Sequence, residues 1–72
     1  AITCLRWNAP FASHYHVDLL DMTGRVVMNL FNGVAPIGEK QVFFNADQMP
    51  AGMYMVQMKH AYGIQTLQLC VH

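Results

Sequence analysis

Two turn signatures constrain this chain more than any other feature. They are Asp21-Met22-Thr23-Gly24-Arg25 and Gln48-Met49-Pro50-Ala51-Gly52-Met53-Tyr54, each bordered by residues that alternate between apolar and polar. Gly24 and Gly52 stand where one alternating run ends and the next begins, and glycine is the residue that reaches positive φ without a Cβ penalty. The chain is therefore organised around tight β connections, and no catalytic constellation competes with them.

The two-residue period recurs along the whole length and the helical period does not. Thr3, Leu5 and Trp7 alternate with Cys4 and Arg6 until Asn8-Ala9-Pro10 breaks the run. Tyr15, Val17 and Leu19 alternate with His16, Asp18 and Leu20, and a return arm from Val26 completes a hairpin across the Asp21–Gly24 turn. In that arm Val27 and Leu30 would share a face only across a bulge. Asn32-Gly33 reads as the turn that closes the arm, and Val34 to Gly38 as a connection. Lys40 to Asn45 is a further strand, and Asn45 to Pro50 a polar segment with room for one helical turn. Tyr54, Val56 and Met58 alternate with Met53, Met55 and Gln57; after the His60–Gly63 turn, Leu67, Leu69 and Val71 alternate with Thr66, Gln68 and Cys70. Six to seven short strands, with turn signals at roughly eight- to twelve-residue spacing, define an all-β antiparallel sandwich.

Length and composition bound what such a sandwich can do. A chain of 72 residues makes one domain, residues 1–72, near the lower limit for a single core without staples. Apolar residues reach 54% and charged ones only 11%, against about 25% charged in typical soluble domains, so part of the surface is expected to be covered. Four basic residues balance four acidic ones, which argues against nucleic acid as a partner. No apolar run approaches the ~18 residues that span a bilayer, and no signal peptide is visible. Beginning at Ala1, the sequence reads as a piece of a longer polypeptide.

The chemically capable residues have simpler readings. A bridge between Cys4 and Cys70 would close nearly the whole chain into one loop, worth about 4 to 5 kcal/mol in the chain-entropy model; two free thiols are the alternative. His14 and His16 share a strand side, and His60 or His72 could complete a metal site, but solvated histidines are the favoured reading. Asp18 and Asp21 fall on opposite faces and do not form an acid and base pair. Asp21 instead suits bonds to backbone N–H groups within its own turn. Ser13, the only serine, has no acidic orienter for a triad. Trp7 and Tyr54 belong to inward faces and Tyr62 to a turn. Met53 and Met55, opposite Tyr54, suit a second core layer better than an adaptable contact surface. These residues supply no cofactor site and no small-molecule substrate site.

Taken in order, the strand before Pro10, the run Val17-Asp18-Leu19-Leu20-Asp21-Met22-Thr23-Gly24-Arg25-Val26-Val27, the strand opened by Gly38, and Met49-Pro50-Ala51-Gly52-Met53-Tyr54-Met55-Val56 followed by a last apolar strand resemble a known pattern. It is that of the C-terminal sorting domain of the type IX secretion system, and it is similar to the related immunoglobulin-like domain of the flagellar hook-capping protein. The resemblance covers nearly all of the chain. It implies an immunoglobulin-like sandwich in which Asp21, Gly24, Arg25, Gly52 and Tyr54 are turn formers and anchors, and which is the C-terminal module of a longer protein.

The function implied is recognition without catalysis. Such a domain accompanies an upstream cargo through the periplasm and crosses the outer membrane by the type IX translocon. An outer-membrane shuttle receives it and a cell-surface sortase commonly removes it, leaving the cargo secreted or at the cell surface. A second reading is a permanent structural immunoglobulin-like module of an extracellular enzyme, adhesin or filament; it draws on the absence of lysine from Gln65 to His72, where the family tends to place it. Low charge and open strand edges also permit self-assembly.

Overall fold

The alternating runs pair into six antiparallel strands among the residues that the computed structural model describes, 2–47 and 49–71. Ala1, Gln48 and His72 lie outside the described residues, and with them the His72 ligand expectation and the first position of the second turn signature. The strands are β1 (Ile2–Ala9), β2 (Ser13–Leu20), β3 (Val26–Ala35), β4 (Gly38–Asn45), β5 (Gly52–His60) and β6 (Gly63–Val71). β1 and β4 make a two-stranded sheet, and the order β3-β2-β5-β6 makes a four-stranded one. This is the expected immunoglobulin-like sandwich.

Alternation places the core. Leu5, Trp7 and Ala9 of β1 and Phe44 of β4 face Tyr15, Val17 and Leu19 of β2 and Tyr54, Val56 and Met58 of β5. Each set recurs at every second residue, so one face of each strand is apolar. Burying each large side chain is worth about 1.5–3 kcal/mol, which makes this layer the main source of stability. Trp7 sits at its centre, with ring centroids 4.9 Å from Tyr15 and 6.0 Å from Phe31.

The return arm of the first hairpin carries the expected bulges, but Val27 does not join Leu30 on the core and is 39% exposed. The β2–β3 register shifts between Val17 and Asp18 and again between Leu19 and Leu20. Val17 pairs with Phe31 and Leu19 with Met28, so those two apolar residues, three apart in sequence, both pack on the core. A bulge is what lets an odd spacing share one face.

Two boundaries differ from the sequence reading. Asn32-Gly33 is not a turn: β3 continues to Ala35, and Gly33 pairs with Tyr15. A Cβ at Gly33 would lie 3.7 Å from the Phe31 ring, an ordinary contact, and Gly33 is not at positive φ, so the position accepts extended strand backbone. Asn8 and Ala9 do not break β1, because they pair with Glu39 and Gly38 and Ala9 is fully buried. Pro10, which lacks an N–H, ends the strand instead. Between Asn45 and Pro50 the described residues make the single turn for which the sequence leaves room, with Met49 N–H on the Ala46 carbonyl and Asp47 N–H on Asn45 Oδ1.

Candidate functional site

The first turn signature is a hydrogen-bonded knot around one carboxylate. Asp21 Oδ1 accepts the backbone N–H of Thr23 at 2.9 Å and of Arg25 at 3.1 Å, together with the Thr23 hydroxyl. The main chain closes the same loop, with Asp21 N–H on the Arg25 carbonyl at 2.9 Å and Gly24 N–H on the Asp21 carbonyl at 3.0 Å. Gly24 has φ +90° and nothing within 4 Å of where a Cβ would stand, so backbone conformation alone demands glycine there. The Thr23 hydroxyl bond first, then the backbone N–H groups of Arg25 and Thr23 and the Arg25 charge, hold the Asp21 carboxyl below the ordinary value of 3.8 against a partial opposing effect of desolvation. The Arg25 guanidinium is itself well exposed, 3.2 Å from Asp21 Oδ2, and such a pair adds little stability.

The second signature ends in a buried anchor. Gly52 opens β5 at φ +147°, and two residues on, the Tyr54 hydroxyl donates to the Pro50 carbonyl at 2.6 Å. Tyr15 repeats the device in β2, donating to the Phe11 carbonyl at 2.7 Å. Each tyrosine reaches back four residues across the connection that leads into its strand, in the manner of the tyrosine corner of immunoglobulin-like domains. The sequence reading found the inward faces of both residues but not these bonds. Their signal is a tyrosine early in a strand, just after the proline-containing connections at Pro10 and Pro50.

His14, His16 and His60 border one shallow cavity of about 320 Å³ but do not point to a common centre. His14 and His16 lie on the outer side of β2, whereas His60 packs with Phe11 and Tyr15, its ring centroid 4.9 Å and 5.5 Å from theirs. Tyr62 N–H donates to His60 Nδ1, which places the proton of the neutral ring on Nε2. Among the described residues no three His, Cys, Asp or Glu side chains gather as a metal site. His16 instead joins Asp18 and Asn29, a grouping that sequence reasoning missed. Asn29 Nδ2 donates to Asp18 Oδ1 at 2.9 Å, and His16 Nε2 lies 3.0 Å from Asp18 Oδ2. Asp18 is only 8% exposed, so these bonds are what allow its carboxylate to be buried at a bulge. The only available signal was the His16-x-Asp18 alternation.

The outer faces carry the remaining candidates. Cys4 and Cys70 are free thiols, both exposed, on the outward side of β1 and β6. Met53 is 42% exposed and Met55 half-buried. They therefore form no second core layer, because the outer face of the four-stranded sheet is uncovered. Tyr62 packs edge-on against Phe11 and is otherwise open. Among the described residues, those of the two turn signatures line neither the groove between Trp7 and Leu67 nor the one between His14 and His60. They frame the sandwich, and what remains for function is its surface and its strand edges.

The fold is a small antiparallel sandwich whose distinctive residues are turn formers and anchors. The family model described as the secretion system C-terminal sorting domain matches residues 2–72, and the chain belongs to this family. No curated protein and no solved structure gives a match. The domain is accordingly a sorting signal for type IX secretion, directing export through the outer membrane to the cell surface or the medium. It acts together with the secretion machinery and an attached upstream cargo. Nothing in these comparisons supports the permanent structural module.

Proposed function

We propose that this sandwich is read by an outer-membrane shuttle protein, carried through the translocon and removed by a surface sortase, and that it performs no catalysis of its own. The observation that carries the proposal is the family match across the whole sandwich, residues 2–72. The state of the motif residues is consistent with it. Asp21 and Arg25 are engaged with each other and with their own turn, Gly24 and Gly52 supply positive φ, and Tyr54 is a core anchor. None of these groups is left to do chemistry, so they secure a shape for others to read.

The shape offers two kinds of contact. Free edges of β1, β3, β4 and β6 expose backbone N–H and C=O groups, which pair with a partner strand with little demand on side chains. The outer sheet faces add sparsely charged surface that includes Phe43, Met53 and Ile64. The test fuses the domain to a periplasmic reporter in bacteria that have the type IX apparatus and in strains lacking the shuttle, the translocon or the sortase. Loss of the shuttle or translocon is expected to hold the reporter in the periplasm, and loss of the sortase to leave the domain attached to a surface-located reporter. Surface delivery that is indifferent to all three deletions would sink the proposal.

A further inference from the structure

Basic side chains gather at one end of the outer sheet face, and no free acid stands beside them. His14 and His16 lie two residues apart in β2, on the face that Tyr15 and Val17 do not use. Register sets Lys59 of β5 directly opposite His16, with Ile64 of β6 beyond it; on the other side Asn32 and Val34 of β3 oppose His16 and His14. The cross-strand neighbours are therefore uncharged. Together with Ser13, His60 and Ala61, these basic residues line the shallow cavity of about 320 Å³, and no acidic residue lines it among the described residues. Lys59 is exposed and forms no ion pair among the described residues. The nearby carboxylate, Asp18, is buried and already bonded to His16 Nε2 and to Asn29.

We propose that this cavity binds a small tetrahedral oxyanion of the phosphate class, and binds it more tightly as its histidines take up protons. Charge and geometry both choose an anion over a metal ion. A zinc-type ion needs its ligands within about 2.0–2.2 Å of one point, and the histidines share no such centre. The Lys59 ammonium opposite His16 also repels a cation. An oxyanion instead presents acceptor oxygens in several directions, so its donors can stand apart. Lys59 supplies a standing charge. Ser13 supplies a hydroxyl whose bonds, to the His14 carbonyl at 3.3 Å and from Ala61 N–H at 3.4 Å, are long and easily exchanged. His14 is exposed, with no side-chain bond among the described residues, and a second proton makes it a donor at both ring nitrogens. His16 acts as the gate. With Asp18 Oδ2 3.0 Å from Nε2, the neutral ring holds its proton there and leaves a lone pair on Nδ1 that repels an incoming oxygen; a second proton turns Nδ1 into a donor while the bond to Asp18 is kept. The His16 side chain is 43% exposed, so the ring is open to a ligand. Once charged, His16 repels Lys59 directly opposite, and an anion between them relieves that repulsion. His60 is a wall of the cavity only: its ring packs on Phe11 and Tyr15, its Nδ1 accepts the Tyr62 N–H, and its Nε2 is closed to solvent.

The test titrates the isotope-labelled 72-residue chain with sodium sulfate, and with sodium chloride at the same ionic strength. Sulfate keeps its charge across the range in which imidazoles gain a proton, about pH 5 to 8. At the acid end it is expected to give saturable shifts at the His14 and His16 rings, the Lys59 side chain and the Ser13 and Ala61 amides. At the alkaline end binding should be about tenfold weaker, the worth of one hydrogen bond to a charged group. Lys59→Gln should lose about tenfold at both ends and Lys59→Arg should keep binding, whereas His16→Gln should bind at the acid end only as well as wild type does at the alkaline end. Inorganic phosphate should shift the same residues. Glycerol 3-phosphate and vesicles of phosphatidylcholine with phosphatidic acid then separate a soluble ester from a lipid headgroup: binding of the ester alone assigns the first, and co-sedimentation that Lys59→Gln abolishes assigns the second. Shifts that sodium chloride reproduces, equal affinity at both ends of the pH range, binding untouched by Lys59→Gln, shifts that map to Arg6 or Arg25, or tight zinc binding with no sulfate response would each overturn the proposal.

Discussion

Replacing Tyr54 by phenylalanine isolates one hydrogen bond in a domain that depends on few. The ring stays, so the buried apolar area is preserved, and only the hydroxyl that donates to the Pro50 carbonyl at 2.6 Å is lost. A bond of this kind is worth about 0.5–1.5 kcal/mol net, and more where its acceptor is left dry. At 0.05–0.15 kcal/mol per residue, a chain of 72 residues has roughly 4 to 11 kcal/mol in all, so the corner is a sizeable fraction of it. At this size 1 kcal/mol moves Tm by about 4–8 °C. Thermal unfolding followed by far-ultraviolet circular dichroism should therefore show Tyr54→Phe melting several degrees below wild type, and Tyr15→Phe should behave alike because its bond to Phe11 is of similar length. Tyr62→Phe is the internal control, since Tyr62 is exposed and its hydroxyl bonds nothing among the described residues. If all three variants melt within about 1 °C of wild type, the two corners contribute nothing measurable and the reasoning fails.

Gly24→Val should cost about 1–3 kcal/mol through positive φ alone, because nothing crowds the position; an unchanged urea midpoint would contradict the turn geometry. The Asp21 carboxyl has a folded-state pKa below its unfolded value, so its contribution is present above the ordinary value of 3.8 and is lost as pH falls through the lower folded value. Acid unfolding of wild type should thus show a loss of stability in that range that Asp21→Asn lacks, and parallel acid limbs for the two proteins would refute the knot. Both thiols are free and exposed, so alkylation of the folded chain should label Cys4 and Cys70, and reductant should leave Tm unchanged. A Tm that drops on reduction would instead establish a Cys4–Cys70 bridge.

What was legible in the sequence was local. Alternation over Leu5-Arg6-Trp7 or Tyr54-Met55-Val56 gives both the strand and its inward face, because a period of two has only one way to bury its apolar half. Asp21 and Gly24 declare their turn through short-range chemistry. The misreadings arose where a distant contact overrules a local signal. Gly33 looks like a turn residue until Tyr15 of β2 pairs with it. Asn8 and Ala9 look like the end of a strand until β4 pairs with them. The partition into two and four strands depends on which edges meet. No single segment carries that information. The hydroxyl partners of Tyr15 and Tyr54 and the Asp18–Asn29 bond were hidden for the same reason, since each joins residues on separate elements or across a connection.

The central claim is that this sandwich directs export by being recognised. It is tested most directly by protease accessibility of a periplasmic reporter fused ahead of the domain, compared between wild-type and translocon-deficient bacteria of the type IX class. Degradation of the reporter on intact wild-type cells, or its release into the medium, with full protection in the deficient strain is the predicted result. Equal protection in both strains, with the reporter confined to the periplasm, would contradict the account.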